Sequence, residues 1–481
     1  MTPALHALLA AIGDQLPAEA VVTDGDRIAP WLIDWRGRYR GTSPLLLQPD
    51  TTAQVAAIVR AAAATGVALV PQGGNTSMVG GATPGADGTA AILSLRRMNR
   101  VRRLDADAMQ VVAEAGVVLD DLQAVAGETG LRFPLTLGAR GTATIGGLVS
   151  TNAGGTQVLR FGSMRALVAG VEAVMADGSV HDGTRALKKD NRGYDLDQLL
   201  IGAEGTLGVV TAATLKLVPA VAARTVAWAG VADPQGALAL LRRFERAGEA
   251  VESFELIPGD TLAAALRYLP AARPPIAGAH AWHVLIEATA PAGREPVLAG
   301  VEAVLAAAHA DGLVADATIA ASEAQADAFW AIRDSLSAAE RARGPAVQHD
   351  IAVPVAAMPR FMVEAAAACE ARFLGTHASG FGHLGDGNVH FHVRAPAGVD
   401  ASVWQAEEAA FITRFVHDLV VAAGGTISAE HGIGQMKADE LARVAPPARM
   451  MAIRAIKAAL DPLNILNPGK IIALAPSPPA A

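Results

Sequence analysis

PQGGNTSMVGG, residues 71–81, decides the reading of this chain. It follows the apolar run VALV, residues 67–70, so a strand ends here and releases into glycines with one Asn, one Thr and one Ser among them. Gly73 and Gly74 lack a Cβ, so a ligand can come close to the main chain. A run of N–H groups beside hydroxyls forms a concavity suited to an anion such as phosphate. The spacing fits neither G-x-x-x-x-G-K-[ST] nor G-x-G-x-x-G, so neither of those phosphate loops applies.

Two further glycine-rich segments lie beside strand patterns. They are FPLTLGARGTATIGGLVSTNAGG, residues 133–155, and LIGAEGTLGVVTAATLKL, residues 200–217. One such loop is weak evidence, but three point to an extended ligand lying along main chain. Around them, PLLLQP reads as a strand, TTAQVAAIVRAAAATG as a helix opened by Thr and closed by Gly, and LVAGVEAVMADGSV as a strand pair with an Asp-Gly turn. This block ends near Pro219. A second block alternates strands such as WHVLIEATA with helices such as GREPVLAGVEAVLAAAHADGL, and the chain turns helical from about residue 403.

The 481 residues allow two or three domains. Apolar residues make up 52% and net charge is −8, without a long basic run, which speaks against a nucleic-acid partner. No stretch reaches the length of a membrane span. The N-terminus reads as a short amphipathic helix rather than a signal peptide. The single cysteine, Cys369, lies in an Ala-rich helical pattern and reads as a core residue. It cannot form an internal disulfide, and a cytoplasmic setting fits.

GHLGDGNVHFHV places His383, His390 and His392 within ten residues. Glycines around Asp386 allow a tight turn, and on the strand that follows His390 and His392 share one face. Asp386 itself reads as a turn-shaping residue. Glu430 and His431 in ISAEHGIG add a carboxylate and an imidazole. Two His and one carboxylate with an open position can make a metal site that takes substrate.

The ordered set PQGGNTSMVGG, LGARGTATIGGLVSTNAGG, RFGSMRALVAGVEAVMADG, KKDNRGYDLDQLLIGAEGTLGVVTAATLKLVP and NPGKI resembles the FAD-linked oxidoreductases of the vanillyl-alcohol-oxidase type over nearly the whole chain. GHLGDGNVHFHV and SAEHGIG resemble the branch that contains D-2-hydroxyglutarate, D-lactate and glycolate dehydrogenases. The implied fold is α+β: a two-subdomain FAD-binding domain plus an antiparallel-sheet substrate domain with helices on one side. The implied boundaries are a helical lead-in over 1–42, the FAD domain over 43–219, a substrate and metal domain over 220–420, and a C-terminal helical segment over 421–481 that packs back on the FAD domain.

The resemblance also implies roles. Pro71, Gly73, Gly74, Asn75, Thr76, Ser77 and Val79 would form the first cofactor loop, cradling the FAD pyrophosphate. Pro134, Thr136, Leu137, Gly138 and Gly141 would line the facing side, together with Thr144, Gly147, Ser150, Asn152 and Ala153. Glu204, Gly208 and Val209 would complete the adenine-side and ribose contacts. Asn75 occupies a loop where some relatives carry a flavin-linking His, so FAD is expected to be non-covalent. His383, His390 and Glu430 would hold a divalent metal, with Zn²⁺ the first choice and Mn²⁺ or Fe²⁺ the alternatives. His431 would be the general base, taking the hydroxyl proton while hydride leaves C2 for the flavin. Arg333, with Ser337 one helical turn on, would bind the substrate carboxylate, and His392 would line the substrate pocket.

Two positions depart from the pattern: Gln348 stands where relatives carry Lys, and His392 where 2-hydroxyglutarate enzymes carry Asn. Both bear on which acid fits rather than on the reaction. The resulting expectation is a D-2-hydroxyacid dehydrogenase that passes electrons to an electron-transfer flavoprotein, a quinone or another acceptor, with a homodimer as its candidate assembly. The alternatives are a glycolate-oxidase-type enzyme or subunit using O₂, and a non-catalytic flavin subunit that only transfers electrons.

Overall fold

The computed structural model describes residues 1–185, 187, 189–291, 293 and 295–472. The tail APSPPAA, which reads as a loose end, lies outside the described residues. The chain forms two compact units. The first comprises residues 1–154, 162–219 and 430–481, and the second residues 155–161 and 220–429.

In the first unit, strands β1 (Val21–Val22), β2 (Leu46–Leu47), β3 (Leu69–Gln72) and β4 (Ala91–Ser94) form a sheet in the order β1-β2-β4-β3. β4 runs parallel to β2 and β3. The helix Thr52–Thr65 connects β2 to β3, as parallel pairing requires. Thr51 caps it by accepting the Gln54 N–H at 3.2 Å, and Gly66 ends it in the left-handed conformation. The N-terminal helix Pro3–Ile12 packs its Leu5, Leu8 and Ile12 into the same core as Val55, Ile58 and Val59. A second sheet of the unit contains β5 (Val101–Asp105), β6 (Gln110–Glu114), β8 (Val168–Val174), β9 (Val180–Asp182) and β10 (Val209–Lys216), ordered β5-β6-β10-β8-β9 and antiparallel throughout. β7 (Leu131–Arg132) and β11 (Val218–Pro219) make a small ribbon.

The second unit is built on one seven-stranded antiparallel sheet. Its strands are β12 (Ala223–Val231), β13 (Val251–Pro258), β14 (Trp282–Ala290), β15 (Asp316–Ile319), β16 (Ala346–Ala352), β17 (His377–His383) and β18 (Asn388–Arg394), in the order β15-β12-β14-β13-β17-β18-β16. The antiparallel sheet is the expected one, but its helices cover both faces rather than one. Strands such as β12 are apolar on both sides, so each face needs a cover. Ala227, Ala229 and Val231 pack under the helices Pro234–Ala247 and Glu295–Ala310. Val226 and Trp228 pack under the helices Gly259–Tyr268 and Glu323–Ala342. Cys369 is fully buried in the helix Met358–Arg372. No described helix is long and apolar enough to cross a membrane.

Candidate functional site

In the first unit the three glycine-rich segments converge. A Cβ on Gly74 would lie 2.0 Å from the Thr142 carbonyl oxygen, and one on Gly73 would lie 2.2 Å from Thr144 Oγ1. The first two loops therefore touch main chain to main chain, which only glycine permits. Thr144 Oγ1 is buried there without a hydrogen-bond partner, a polar atom that a ligand could satisfy. The third segment joins them through Glu204, whose N–H donates to the Ser150 carbonyl at 2.7 Å. A close-fitting glycine cradle with an orphaned buried hydroxyl fits a phosphate-bearing cofactor such as FAD.

Several expected cofactor residues also have structural duties. Asn75, at φ +57°, donates from its side chain to the Ile33 carbonyl at 2.9 Å. Ser77 Oγ accepts the Gly81 N–H at 3.1 Å. Asn152 Oδ1 accepts from Ser163 Oγ and the Arg165 N–H, each at 2.9 Å. Arg96, which the sequence does not single out, donates to the Gly73 and Gly74 carbonyls at 2.8 and 3.1 Å and stacks over Trp31. It holds those carbonyls in place from outside the loop. A basic residue just past β4 was the available signal, but nothing local gives its partner.

Glu430 and His431 open the C-terminal segment of this unit. Both are half-buried, with a Glu430 carboxylate oxygen and a His431 ring nitrogen within 4.8 Å of each other.

In the second unit, β17 and β18 form a hairpin around the expected turn. Asp386 shapes its turn, accepting the Asn388 N–H at 2.9 Å. Gly387 has φ +83° and lies so close to the Val353 carbonyl that a Cβ would meet it at 2.0 Å. His390 and His392 share one face, with Phe381 packed against both rings, while Val389, Phe391 and Val393 point into the opposite core. His383 and His390 come together diagonally across the hairpin. Their ring centroids are 5.6 Å apart, and one ring nitrogen of each lies within 4.8 Å of the other.

Two buried acids that the sequence reading missed face these rings. Glu255 on β13 lies directly across from His383 and contacts its Nδ1 at 2.6 Å. Asp350 on β16 lies directly across from His390. The signal for Glu255 was VESFELIP: every residue of this strand is buried, and a carboxylate in such a run must be paired. Burial alone would raise the Glu255 carboxyl, but the Arg333 charge and the His383 ring beside it outweigh burial and bring it down to about 2. Being ionised, Glu255 only accepts, so His383 donates from Nδ1 and keeps Nε2 as its basic nitrogen. That is the arrangement by which a carboxylate orients a metal-binding His, and the donor set fits a divalent cation.

Arg333 is committed within the unit. Its Nη2 lies 2.8 Å from Glu255 Oε2 and 3.2 Å from His383 Nε2. Ser337, one turn further, is exposed. At the far end of the same helix, Glu340 joins Arg343 at 2.9 Å and pairs with Arg394, with His392 Nδ1 at 3.9 Å. Gln348 is the cross-strand neighbour of His392.

Two family models match the chain: "FAD binding domain" over residues 43–184 and "FAD linked oxidases, C-terminal domain" over residues 221–471. The chain is 37% identical over 454 residues to a protein of Oryza sativa subsp. indica named probable D-2-hydroxyglutarate dehydrogenase, mitochondrial, covering 94% of this chain and 79% of that one. It is 37% identical over 468 residues to the mitochondrial D-2-hydroxyglutarate dehydrogenase of Bos taurus, covering 96% and 83%. It is 34% identical over 459 residues to the D-2-hydroxyglutarate dehydrogenase of Xanthomonas citri pv. viticola, covering 95% of each. Among solved structures, p-cresol methylhydroxylase with bound substrate superposes with TM-score 0.75 at 15% identity, covering 98% of each chain. The 4-ethylphenol oxidase of Gulosibacter chungangensis gives 0.71 at 18% identity, covering 99% of this chain and 98% of that one. These two share the fold.

Proposed function

The chain belongs to the FAD-linked oxidases, and on that premise we propose that it oxidises a D-2-hydroxyacid, D-2-hydroxyglutarate or D-lactate, to the 2-oxoacid. The observation that carries this reading is the match, over 94% or more of the chain, to proteins named D-2-hydroxyglutarate dehydrogenase. In this reading the first unit binds FAD without a covalent link, and bound FAD supplies the hydride acceptor. Gly73, Gly74 and Thr144 would hold its phosphate-bearing part.

The second unit would bind the acid. His383 and His390 would hold a divalent metal with Glu430, the residue that follows Ala429, as third ligand. Zn²⁺ is the first choice, since two imidazoles and a carboxylate suit it. Such an ion supplies Lewis acidity that lowers the pKa of a substrate hydroxyl. Glu255 fixes the tautomer of His383 for that task. Arg333 would turn from His383 to the substrate carboxylate, because a guanidinium and a metal cation repel at one nitrogen. His431 would accept the hydroxyl proton as general base. Its neighbour Glu430 offers negative charge to the imidazolium so formed.

The test is anaerobic mixing of the FAD-loaded protein with D-2-hydroxyglutarate, D-lactate, glycolate and the L-enantiomers. Loss of the flavin's visible absorption with a D-acid, and not with its L-form, is the expected result. An unchanged spectrum across the panel would remove the reading. Admitting O₂ afterwards separates a dehydrogenase from an oxidase by the rate of reoxidation.

A further inference from the structure

We propose that Glu204 is a positioning residue for His431. The proposal rests on the reading of His431 as the base. The family resemblance assigns Glu204 to the cofactor's adenine side, but its carboxylate is engaged elsewhere. It is 8% exposed, and each oxygen accepts one main-chain donor from the loop after His431. Ile433 N–H reaches Oε1 at 2.7 Å and Gly434 N–H reaches Oε2 at 2.7 Å.

The loop is shaped to allow this. Gly432 and Gly434 have φ of +79° and +53°. A Cβ on Gly432 would lie 2.7 Å from Glu204 Oε1, and one on Gly434 would lie 2.3 Å from the Val79 carbonyl oxygen. Glu204 itself has φ +50°, a conformation that a non-glycine residue keeps only when its surroundings impose it. Those surroundings are visible: its N–H donates to Ser150, and its carbonyl accepts from Asn467 Nδ2 at 2.7 Å. The same amide donates to the Gly81 carbonyl at 3.0 Å. Burial pushes the Glu204 carboxyl up, and the two main-chain bonds and the charges of Lys437 and Lys470 oppose that shift.

The opposite side of the loop is tied to the first glycine-rich segment. The N–H groups of Gln435 and Met436 donate to the Val79 carbonyl at 3.1 and 3.2 Å, and Gln435 Nε2 donates to Gly80 at 2.8 Å. His431 thus projects from a main chain that is clamped beginning two residues later. The two oxygens of one carboxyl group match the two main-chain donors. A carboxamide in its place accepts on one side only and turns an N–H against the other donor. With one acceptor removed the clamp is half lost and the imidazole's anchor is loosened.

The experiment compares FAD-loaded wild type with Glu204→Gln and Glu204→Asp. Amide exchange of the 430–436 segment is followed together with FAD content, kcat and KM for a D-2-hydroxyacid. In Glu204→Gln we expect faster exchange in that segment, full FAD content, an unchanged KM and a kcat lower by about 10–100-fold, the cost of misplacing a reacting group. Glu204→Asp keeps the carboxyl group and both acceptors, set back by one methylene, and should fall between. If the Gln variant does not fold, the Asp variant carries the same readouts.

Unchanged exchange overturns the proposal, as does a wild-type kcat despite faster exchange. Activity lost in proportion to FAD would make Glu204 a cofactor ligand and also overturn it. Failure of the underlying reading shows separately: His431→Asn would turn over normally, whatever exchange the Glu204 variants display.

Discussion

Nδ1 of His383 lies 2.6 Å from the Glu255 carboxylate, directly across the pair of β13 and β17. The two residues are 128 positions apart in sequence. One acid thereby serves two donors, because Arg333 approaches its other oxygen at 2.8 Å.

Removing the charge of Glu255 should loosen a metal at His383. Glu255→Gln keeps the volume, and loss of such an outer partner costs about 10–100-fold in metal affinity. Titrating FAD-loaded protein with Zn²⁺ measures this. Equal affinity in wild type and variant would show that Glu255 serves Arg333 alone.

Gly74→Val should cost FAD. The new Cβ would sit 2.0 Å from the Thr142 carbonyl oxygen, a main-chain atom that cannot step aside cheaply. The ratio of flavin to protein after gel filtration reports the loss. In wild type, acid precipitation should release the flavin to the supernatant, because the Asn75 side chain is bonded to Ile33 and offers no attachment. Flavin that stays with the pellet would contradict the non-covalent reading.

His431→Asn should retain FAD and metal and lose turnover by about 10²–10⁴-fold, the usual worth of a general base. In wild type, kcat/KM should rise with pH through one ionisation, and the variant should lack that rise. An unchanged profile would pass the role to another group. Arg333→Met should instead mainly raise KM, if the guanidinium holds the carboxylate equally in ground and transition states.

Acid stability should report on Glu340. Burial opposes its ionisation, but the nearby His392 ring, the hydrogen bond and charge of Arg343 and the charge of Arg394 bring the carboxyl down to about 2 from an ordinary 4.5. A carboxyl lowered on folding stabilises the protein above its unfolded value, and that contribution is lost as pH falls from about 4.5 to about 2. The contribution is on the order of 3 kcal/mol. Glu340→Gln should therefore be less stable than wild type at neutral pH, and the gap should close as the pH nears 2. Denaturant melts at several pH values test this, and a gap independent of pH would contradict it.

The local signals in the sequence were reliable because they act over a few residues. Thr51 and Gly66 cap the helix they bracket, the alternation in NVHFHV puts His390 and His392 on one face, and the glycines of 71–81 permit a main-chain approach that a Cβ would block. The order of these motifs carried the family. What the sequence could not state was which distant groups meet. Glu255, Asp350 and Arg96 are ordinary charged residues until β13, β16 and the 73–74 turn are brought beside their partners. Helices cover both faces of the large sheet because both faces of β12 are apolar, and only the strand's pairing between β15 and β14 shows that neither face is open. Glu204 looked like part of a cofactor loop, and only folding turned its carboxylate onto Ile433 and Gly434. Periodicity and capping are properties of neighbours in the chain, whereas the pairing of a buried charge is settled by distant residues, as Glu255 with His383 across 128 positions and Glu204 with Ile433 across 229.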